Sequence, residues 1–342
     1  MTRVLHVLAT LAMLASASPP LRAQQMLKPV ELGVGGQSLL SYLPLTLALQ
    51  LGYFRDEGLD VKISDFAGGS KSIEALVAGS VDVVGGAYEN ALFLQARGID
   101  LKAVVLLTDR FGLVFALNKQ LAAKYRSPKD IKGLRIGVTA PGSAVSNALE
   151  IILAKDGLKG DDVSMIGIGG GPGAIAAMKS GQIDGLVLSD PAIMRLEADG
   201  VITPIVDSRE QSGQTYLYGG PNANSSVLVR ASFAKEHPEI LQSFVNATVR
   251  TLKWMGGATL EEIMANVPPG FYAGGRDIYQ RSLMRNRDGY TRDGHLTPEL
   301  AAVTLKAVAN SGRLNGADKI DIGPTLDDAF WQRANKSVKR AL

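Results

Sequence analysis

Ser72-Ile73-Glu74-Ala75-Leu76-Val77-Ala78-Gly79-Ser80-Val81-Asp82 can be laid on Ala174-Ile175-Ala176-Ala177-Met178-Lys179-Ser180-Gly181-Gln182-Ile183-Asp184 at a constant offset of 102 residues. Each copy reads as an amphipathic helix stopped by a glycine, Gly79 or Gly181, suited to the left-handed position past a helix end. An aspartate then leads into a strand. A period of about 100 residues is too long for a solenoid, so two similar α/β lobes are predicted rather than an array. Chance likeness of two ordinary helix-strand units is the competing reading.

Working outward, short apolar runs alternate with helical patterns, the signature of α/β units around a largely parallel sheet. Strands are predicted at Val30–Val34, Asp60–Phe66, Val81–Gly85 and Lys102–Leu107, with helices at Tyr42–Glu57, Ser70–Ala78 and Glu89–Arg97 between them. A second series runs from a strand at Arg135–Thr139 through Ser143–Lys155 (helix), Val163–Ile168 (strand) and Gly173–Ser180 (helix) to Asp184–Leu188 (strand). After about Gly220 the spacing of Ile240, Leu241, Phe244, Val245, Thr248 and Leu252 turns helical. Thr259-Leu260-Glu261-Glu262 and Thr297-Pro298 read as helix starts, so the last third is predicted to be mostly helix.

Composition narrows the function. The 342 residues are 46% hydrophobic and 20% charged, which is globular usage, and a net charge of +3 is too small a field for nucleic acid. There is no cysteine, which excludes disulfides, thiolate nucleophiles and cysteine-ligated metals. The three histidines, His6, His237 and His295, have no partner at metal spacing, so neither metal nor cofactor is expected.

The N-terminus reads as an export signal of residues 1–23. Arg3 precedes an apolar run from Val4 to Ala17, and cleavage is placed after Ala23. The run falls short of the roughly 20 residues that span a bilayer. A signal peptide on a cysteine-free chain suits the periplasm.

Most reactive motifs are missing. Gly33-Val34-Gly35-Gly36-Gln37-Ser38 lacks the third glycine of a dinucleotide fingerprint. Ser232-Phe233-Ala234-Lys235 stands without the companion motifs of penicillin-recognising enzymes. Three glycine loops remain, each before a predicted helix: Gly35-Gly36-Gln37-Ser38, Gly68-Gly69-Ser70 and Pro141-Gly142-Ser143. Free N–H groups at a helix start suit a small anion or polar group, and open α/β sheets bind ligands at such strand ends. Taken singly, Ser70 and Ser143 also read as ordinary N-caps.

The run Leu43-Pro44-Leu45-Thr46-Leu47-Ala48-Leu49-Gln50-Leu51-Gly52-Tyr53-Phe54-Arg55-Asp56-Glu57-Gly58-Leu59-Asp60-Val61 resembles the signature of the nitrate/sulfonate/taurine and thiamine-pyrimidine (NMT1/THI5-like) solute-binding proteins of ABC importers. The likeness continues through Gly69, Ala75-Leu76, Gly79-Ser80-Val81-Asp82, Asp130–Gly137, Pro141-Gly142-Ser143, Gly181–Gly185 and Asp190-Pro191, covering most of residues 30 to 210. It implies an α/β, type II periplasmic binding protein fold: two α/β lobes, two crossover segments, a cleft between them and a helical C-terminal part. On that basis residues 24–112 and 219–342 are assigned to lobe I and 113–218 to lobe II, with crossovers near Arg110–Leu117 and Thr215–Gly219. Related enzymes make the thiamine pyrimidine with a cysteine-rich motif that this chain lacks. Two positions depart from the family pattern: Asp190 stands where many members have glutamate, and Glu89-Asn90 where small hydroxyl residues are common.

The expected function is a periplasmic, monomeric binding protein that closes its lobes on a small polar ligand and delivers it to an ABC permease of the inner membrane. An exported enzyme of the pyrimidine-synthase type and a periplasmic sensor subunit are the rivals. Candidate ligand-binding residues are Gln37, Ser38, Tyr42, Gly69, Ser70, Tyr88, Glu89, Arg110, Gly142, Ser143 and Asp190. If the helix N-termini and Arg110 dominate, the ligand is an organic anion such as a sulfonate or carboxylate. If Glu89 and Asp190 are the main acceptors and Tyr42 and Tyr88 the stacking surface, it is a pyrimidine-like heterocycle.

Overall fold

A computed structural model describes residues 26–110, 112–272, 274–314 and 316–338. The export signal assigned to residues 1–23 lies outside them. Among the described residues ten strands form two five-stranded sheets. The first contains β1 (Lys28–Val34), β2 (Leu59–Asp65), β3 (Val83–Ala87), β4 (Leu101–Leu106) and β10 (Ser225–Arg230), in the order β2-β1-β3-β10-β4. The second contains β5 (Val114–Asn118), β6 (Arg135–Val138), β7 (Ser164–Gly167), β8 (Gly185–Leu188) and β9 (Ile202–Asp207), in the order β7-β6-β8-β5-β9.

The two orders are the same topology used twice. In each sheet the first three strands pair in parallel, and the strand that enters after a crossing, β10 or β5, runs antiparallel to both neighbours. Both entering strands shift register once, at Val227/Leu228 and at Phe115/Ala116. The sheets are therefore mixed where a largely parallel arrangement is expected from the sequence. The sequence pattern also missed β5, β9 and β10.

The repeat has a physical basis at its last residue. Asp82 Oδ2 accepts the N–H of Glu31 within β1, and Asp184 Oδ2 accepts the N–H of Arg135 at the head of β6, each at 2.9 Å. Each aspartate thus fixes the register of the strand it leads into against that strand's parallel neighbour, β3 against β1 and β8 against β6. Gly79 and Gly181, at φ of 78° and 70°, supply the left-handed residue that turns each helix toward that aspartate.

The crossings differ from expectation. Val114–Leu117 belongs to β5 and Thr215–Tyr218 to the helix Gln211–Tyr218, so the chain passes between sheets over 107–113 and 219–224. Apolar residues read as a linker are strand, because they pair with β8 and β9. The helix expected over Tyr42–Glu57 is interrupted between Leu43–Gln50 and Tyr53–Asp56. Among the described residues no strand follows β10; Leu241, Phe244, Val245 and Leu252 of the helix Pro238–Gly257 pack into the core that holds Val30, Leu32 and Val83. Thr259 and Thr297 cap the helices predicted to start there.

Asp82→Ala and Asp184→Ala should each lower stability by about 1–2 kcal/mol, the cost of leaving a strand-edge N–H without its acceptor. Asp184→Ala should cost more, since Asp184 also pairs with Arg135 at 2.7 Å. Urea denaturation of the two variants measures the difference.

Candidate functional site

The ends of β1, β3, β6 and β8 meet across the space between the sheets, and bare backbone lets them approach. A Cβ on Gly35 would lie 2.3 Å from the Gly69 amide nitrogen, and one on Gly68 would lie 2.6 Å from the Ala140 Cβ of the facing lobe. Ser70 Oγ then donates to the Pro141 carbonyl at 3.1 Å. The glycine loops after β1, β2 and β6 thus converge on one place.

They enclose a cavity of about 20 Å³ bordered by Gly35, Leu39, Tyr42, Gly69 and Asn90 from the first lobe and Thr139, Ser143, Ala144 and Val145 from the second. That is room for one water. No charged side chain borders it. Gly69 is the first residue of the helix Gly69–Val77, and Ser143 is the N-cap of the helix Ala144–Ala154. Two partial positive ends therefore point at the same space. Ser143 Oγ accepts from Thr139 Oγ1 at 3.0 Å and from the Ser146 N–H at 3.4 Å, so its own proton remains free to donate. The Tyr42 hydroxyl makes no hydrogen bond among the described residues, and burial, with the charge of Asp65, keeps it protonated by raising its pKa.

Of the other candidates, Gly142 lies in the same loop at φ 81°, while Gln37 and Ser38 sit on the rim, the Gln37 N–H donating to Asp65 at 2.9 Å. Tyr88 is not brought to the cleft. It is fully buried in the first lobe's core and its hydroxyl shares a hydrogen bond with Thr325 at 2.5 Å, because it precedes the helix Glu89–Gln95 on the side that faces the sheet. Arg110 stands in the first crossing rather than in the glycine-lined cavity, donating to the Asp288 carbonyl at 2.7 Å and standing 3.5 Å from Asp109.

Asp190 is completely buried and occupied. It pairs with Arg209 at 3.2 Å and accepts from Asn286 at 2.8 Å and from the Met194 N–H at 2.9 Å. Arg209 is itself fully buried and also grips Glu197 at 2.9 Å and Asp207 at 2.7 Å. Burial works against its charge, but Asp207, Glu197 and Asp190 hold its pKa above the ordinary arginine value. Sequence reading gave no sign of Arg209, whose partners Glu197 and Asp190 lie 12 and 19 residues back in the chain, or of Asn286, which lies 96 residues from Asp190.

Glu89 is 5% exposed and reaches across the cleft, where Asn147 Nδ2 donates to it at 3.1 Å. Nearby, Arg313 pairs with Glu150 at 3.3 Å. Burial pushes the Glu89 carboxyl up to about 7, against the pull of Arg313 and Asn147 and with a further push from Glu150. No group of His, Cys, Asp and Glu that could hold a metal occurs among the described residues.

Two α/β lobes of identical sheet order, joined by two crossings with a cleft between them, define a type II periplasmic binding protein fold. The chain belongs to the NMT1/THI5-like family, which matches residues 40–257. It is 31% identical to the taurine-binding periplasmic protein of Escherichia coli (strain K12) over 198 residues, 58% of each chain, so the match spans less than two thirds of that relative. A solved structure from Bordetella bronchiseptica RB50 is 40% identical, with a TM-score of 0.87 over 90% of this chain and 97% of that one. The alkanesulfonate-binding protein SsuA from Xanthomonas axonopodis pv. citri, bound to MOPS, shares the fold at 22% identity, with a TM-score of 0.65 over 88% of this chain and 99% of that one.

The folded protein binds the Glu89 proton more tightly than the unfolded chain does, so its contribution is full below about pH 4.5, declines as pH rises, and is lost above about pH 7. Glu89→Gln should therefore be neutral near pH 4 and raise stability by on the order of 3 kcal/mol above pH 7.5. Denaturation midpoints of both proteins from pH 4 to 8 check this.

Proposed function

We propose that this chain is the periplasmic ligand-binding component of an ABC importer, taking a small organic anion, a sulfonate or carboxylate, between its lobes. One observation carries the reading. The cavity between the lobes receives two helix N-termini and the free hydroxyl proton of Ser143, and no carboxylate borders it. Such a lining attracts negative charge and has nothing to repel it. Membership of the NMT1/THI5-like family and the likeness to a taurine-binding periplasmic protein support the same class of ligand. The export signal read at residues 1–23 supports the location, and no helix among the described residues is long and apolar enough to cross a membrane.

A sulfonate does not fit in about 20 Å³, so entry requires the lobes to part along the segments 107–113 and 219–224. A ligand that touches both lobes then favours the shut arrangement by binding it better. The permease reads that arrangement. On this reading the protein acts as a monomer and without catalysis: among the described residues the glycine-lined cavity presents hydroxyls and backbone N–H groups and no nucleophile paired with a base. The heterocycle reading is weakened because Asp190 is engaged by Arg209 and Tyr88 by Thr325.

Calorimetry with small sulfonates and carboxylates should give saturable binding, with small-angle scattering reporting a change of radius between free and loaded protein. Ser143→Asp places a negative charge among the N–H groups and should lower affinity at least a hundredfold without unfolding the chain. Undiminished binding by a folded Ser143→Asp variant counts against this cavity as the site.

A further inference from the structure

Glu89 opens the helix Glu89–Gln95 of the first lobe and Asn147 lies on the helix Ala144–Ala154 of the second, so their hydrogen bond at 3.1 Å ties one lobe to the other. The pair does not border the glycine-lined cavity but adjoins residues that do, Asn90 on one side and Ser143, Ala144 and Val145 on the other. The bond uses half of what the two groups offer. Asn147 Oδ1 is buried and has no donor among the described residues, and Glu89 accepts only through Oε2. A carboxylate cannot satisfy the amide oxygen, because both are acceptors. A protonated carboxyl can. It donates its O–H to Oδ1 while still accepting from Nδ2, so acid and amide share two hydrogen bonds.

The charges that act on Glu89 come from other elements. Arg313, which follows the helix Pro298–Ala309, favours the ionised form, and Glu150, on the helix of Asn147, opposes it. These two pair with each other at 3.3 Å, so Arg313 is shared rather than given to Glu89. Tyr218, at the end of the helix Gln211–Tyr218, is kept neutral by burial and by the charge of Glu89. Lys102 of β4 is bonded to the Pro324 carbonyl, and Glu299 and Lys306 of the helix Pro298–Ala309 are exposed. With the lobes together, burial outweighs Arg313 and raises the carboxyl to about 7. Parting the lobes returns Glu89 to water and to the ordinary carboxylate range.

We propose that Glu89 and Asn147 form a proton-operated latch: shutting the lobes on a ligand brings a proton from solvent onto Glu89, which donates it to Asn147 Oδ1, and opening returns it. This rests on the reading of the cleft as one that parts and shuts around an organic anion. It adds that affinity is set by pH through two side chains outside the cavity that receives the ligand.

The test is calorimetry on the full mature chain with ethanesulfonate, isethionate and taurine, in buffers of different ionisation heat. None of these compounds titrates between about pH 5 and 8, so the protons counted belong to the protein. Wild type should take up close to one proton on binding near pH 6, and its affinity should fall at least tenfold from about pH 5.5 to 7.5. Glu89→Gln, whose amide can make both bonds to Asn147, should lose that uptake and bind at least tenfold more tightly than wild type at about pH 7.5. A flat wild-type affinity over this range overturns the latch. So does proton uptake that persists in Glu89→Gln shown folded by circular dichroism, or weaker binding by that variant. If none of the three compounds binds at either pH, the sulfonate reading fails, and small-angle scattering of the ligand-free chain decides the latch instead. A radius smaller at about pH 5.5 than at 7.5 in wild type but not in Glu89→Gln supports it, and equal wild-type radii overturn it.

Discussion

A methyl group at Gly35 would collide with the backbone of Gly68 and Gly69, and the site depends on its absence. The end of β1 can touch the start of the helix Gly69–Val77 only as one bare backbone against another. That contact keeps the N–H groups of the helix start uncovered by side chains. Gly68 passes the same requirement to the other lobe, because its Cα meets Ala140 directly. Larger residues here would hold the lobes apart and bury the helix end under apolar surface, removing the feature that favours an anion.

The faces that meet across the cleft are joined chiefly by polar contacts: Ser70 to Pro141, Asn147 to Glu89, Arg313 to Glu150 and Asn286 to Asp190. The large apolar clusters lie mostly within one lobe or the other. Hydrogen bonds across such a face exchange with water at a small net cost, about 1 kcal/mol each, whereas separating an apolar core costs far more. The molecule is therefore held firmly within each lobe and lightly between them. Arg209 belongs to the firm part: shared among Asp190, Glu197 and Asp207, it locks the strand ends β8 and β9 to each other on the second lobe's side.

Local pattern carried the doubled architecture, since the helix-glycine-aspartate repeat recurs at places where the aspartates do the same job. It also carried the helix starts at Thr259, Thr297 and Ser143, where the side-chain oxygen bonds within three residues. What failed was non-local. The membership of the entering strands β5 and β10 in a sheet depends on partners far away in the chain. Tyr88 and Glu89 are neighbours with opposite fates, one in the core and one in the cleft, because a helix start turns successive side chains to different faces. Asn286, Tyr290 and Arg313 reach the cleft from the helical tail, where no spacing marks them.

The exchange of strands between lobes has a consequence for the order in which the chain can assemble. All five strands of the second sheet lie between Val114 and Asp207 in one uninterrupted segment. The first sheet needs β10, since among the described residues it is the one strand that joins β4 to β3. A polypeptide emerging N-terminus first can thus complete its second sheet while its first still has a gap. That gap is filled only once Arg230 has appeared, so the lobe begun earliest is the one finished last.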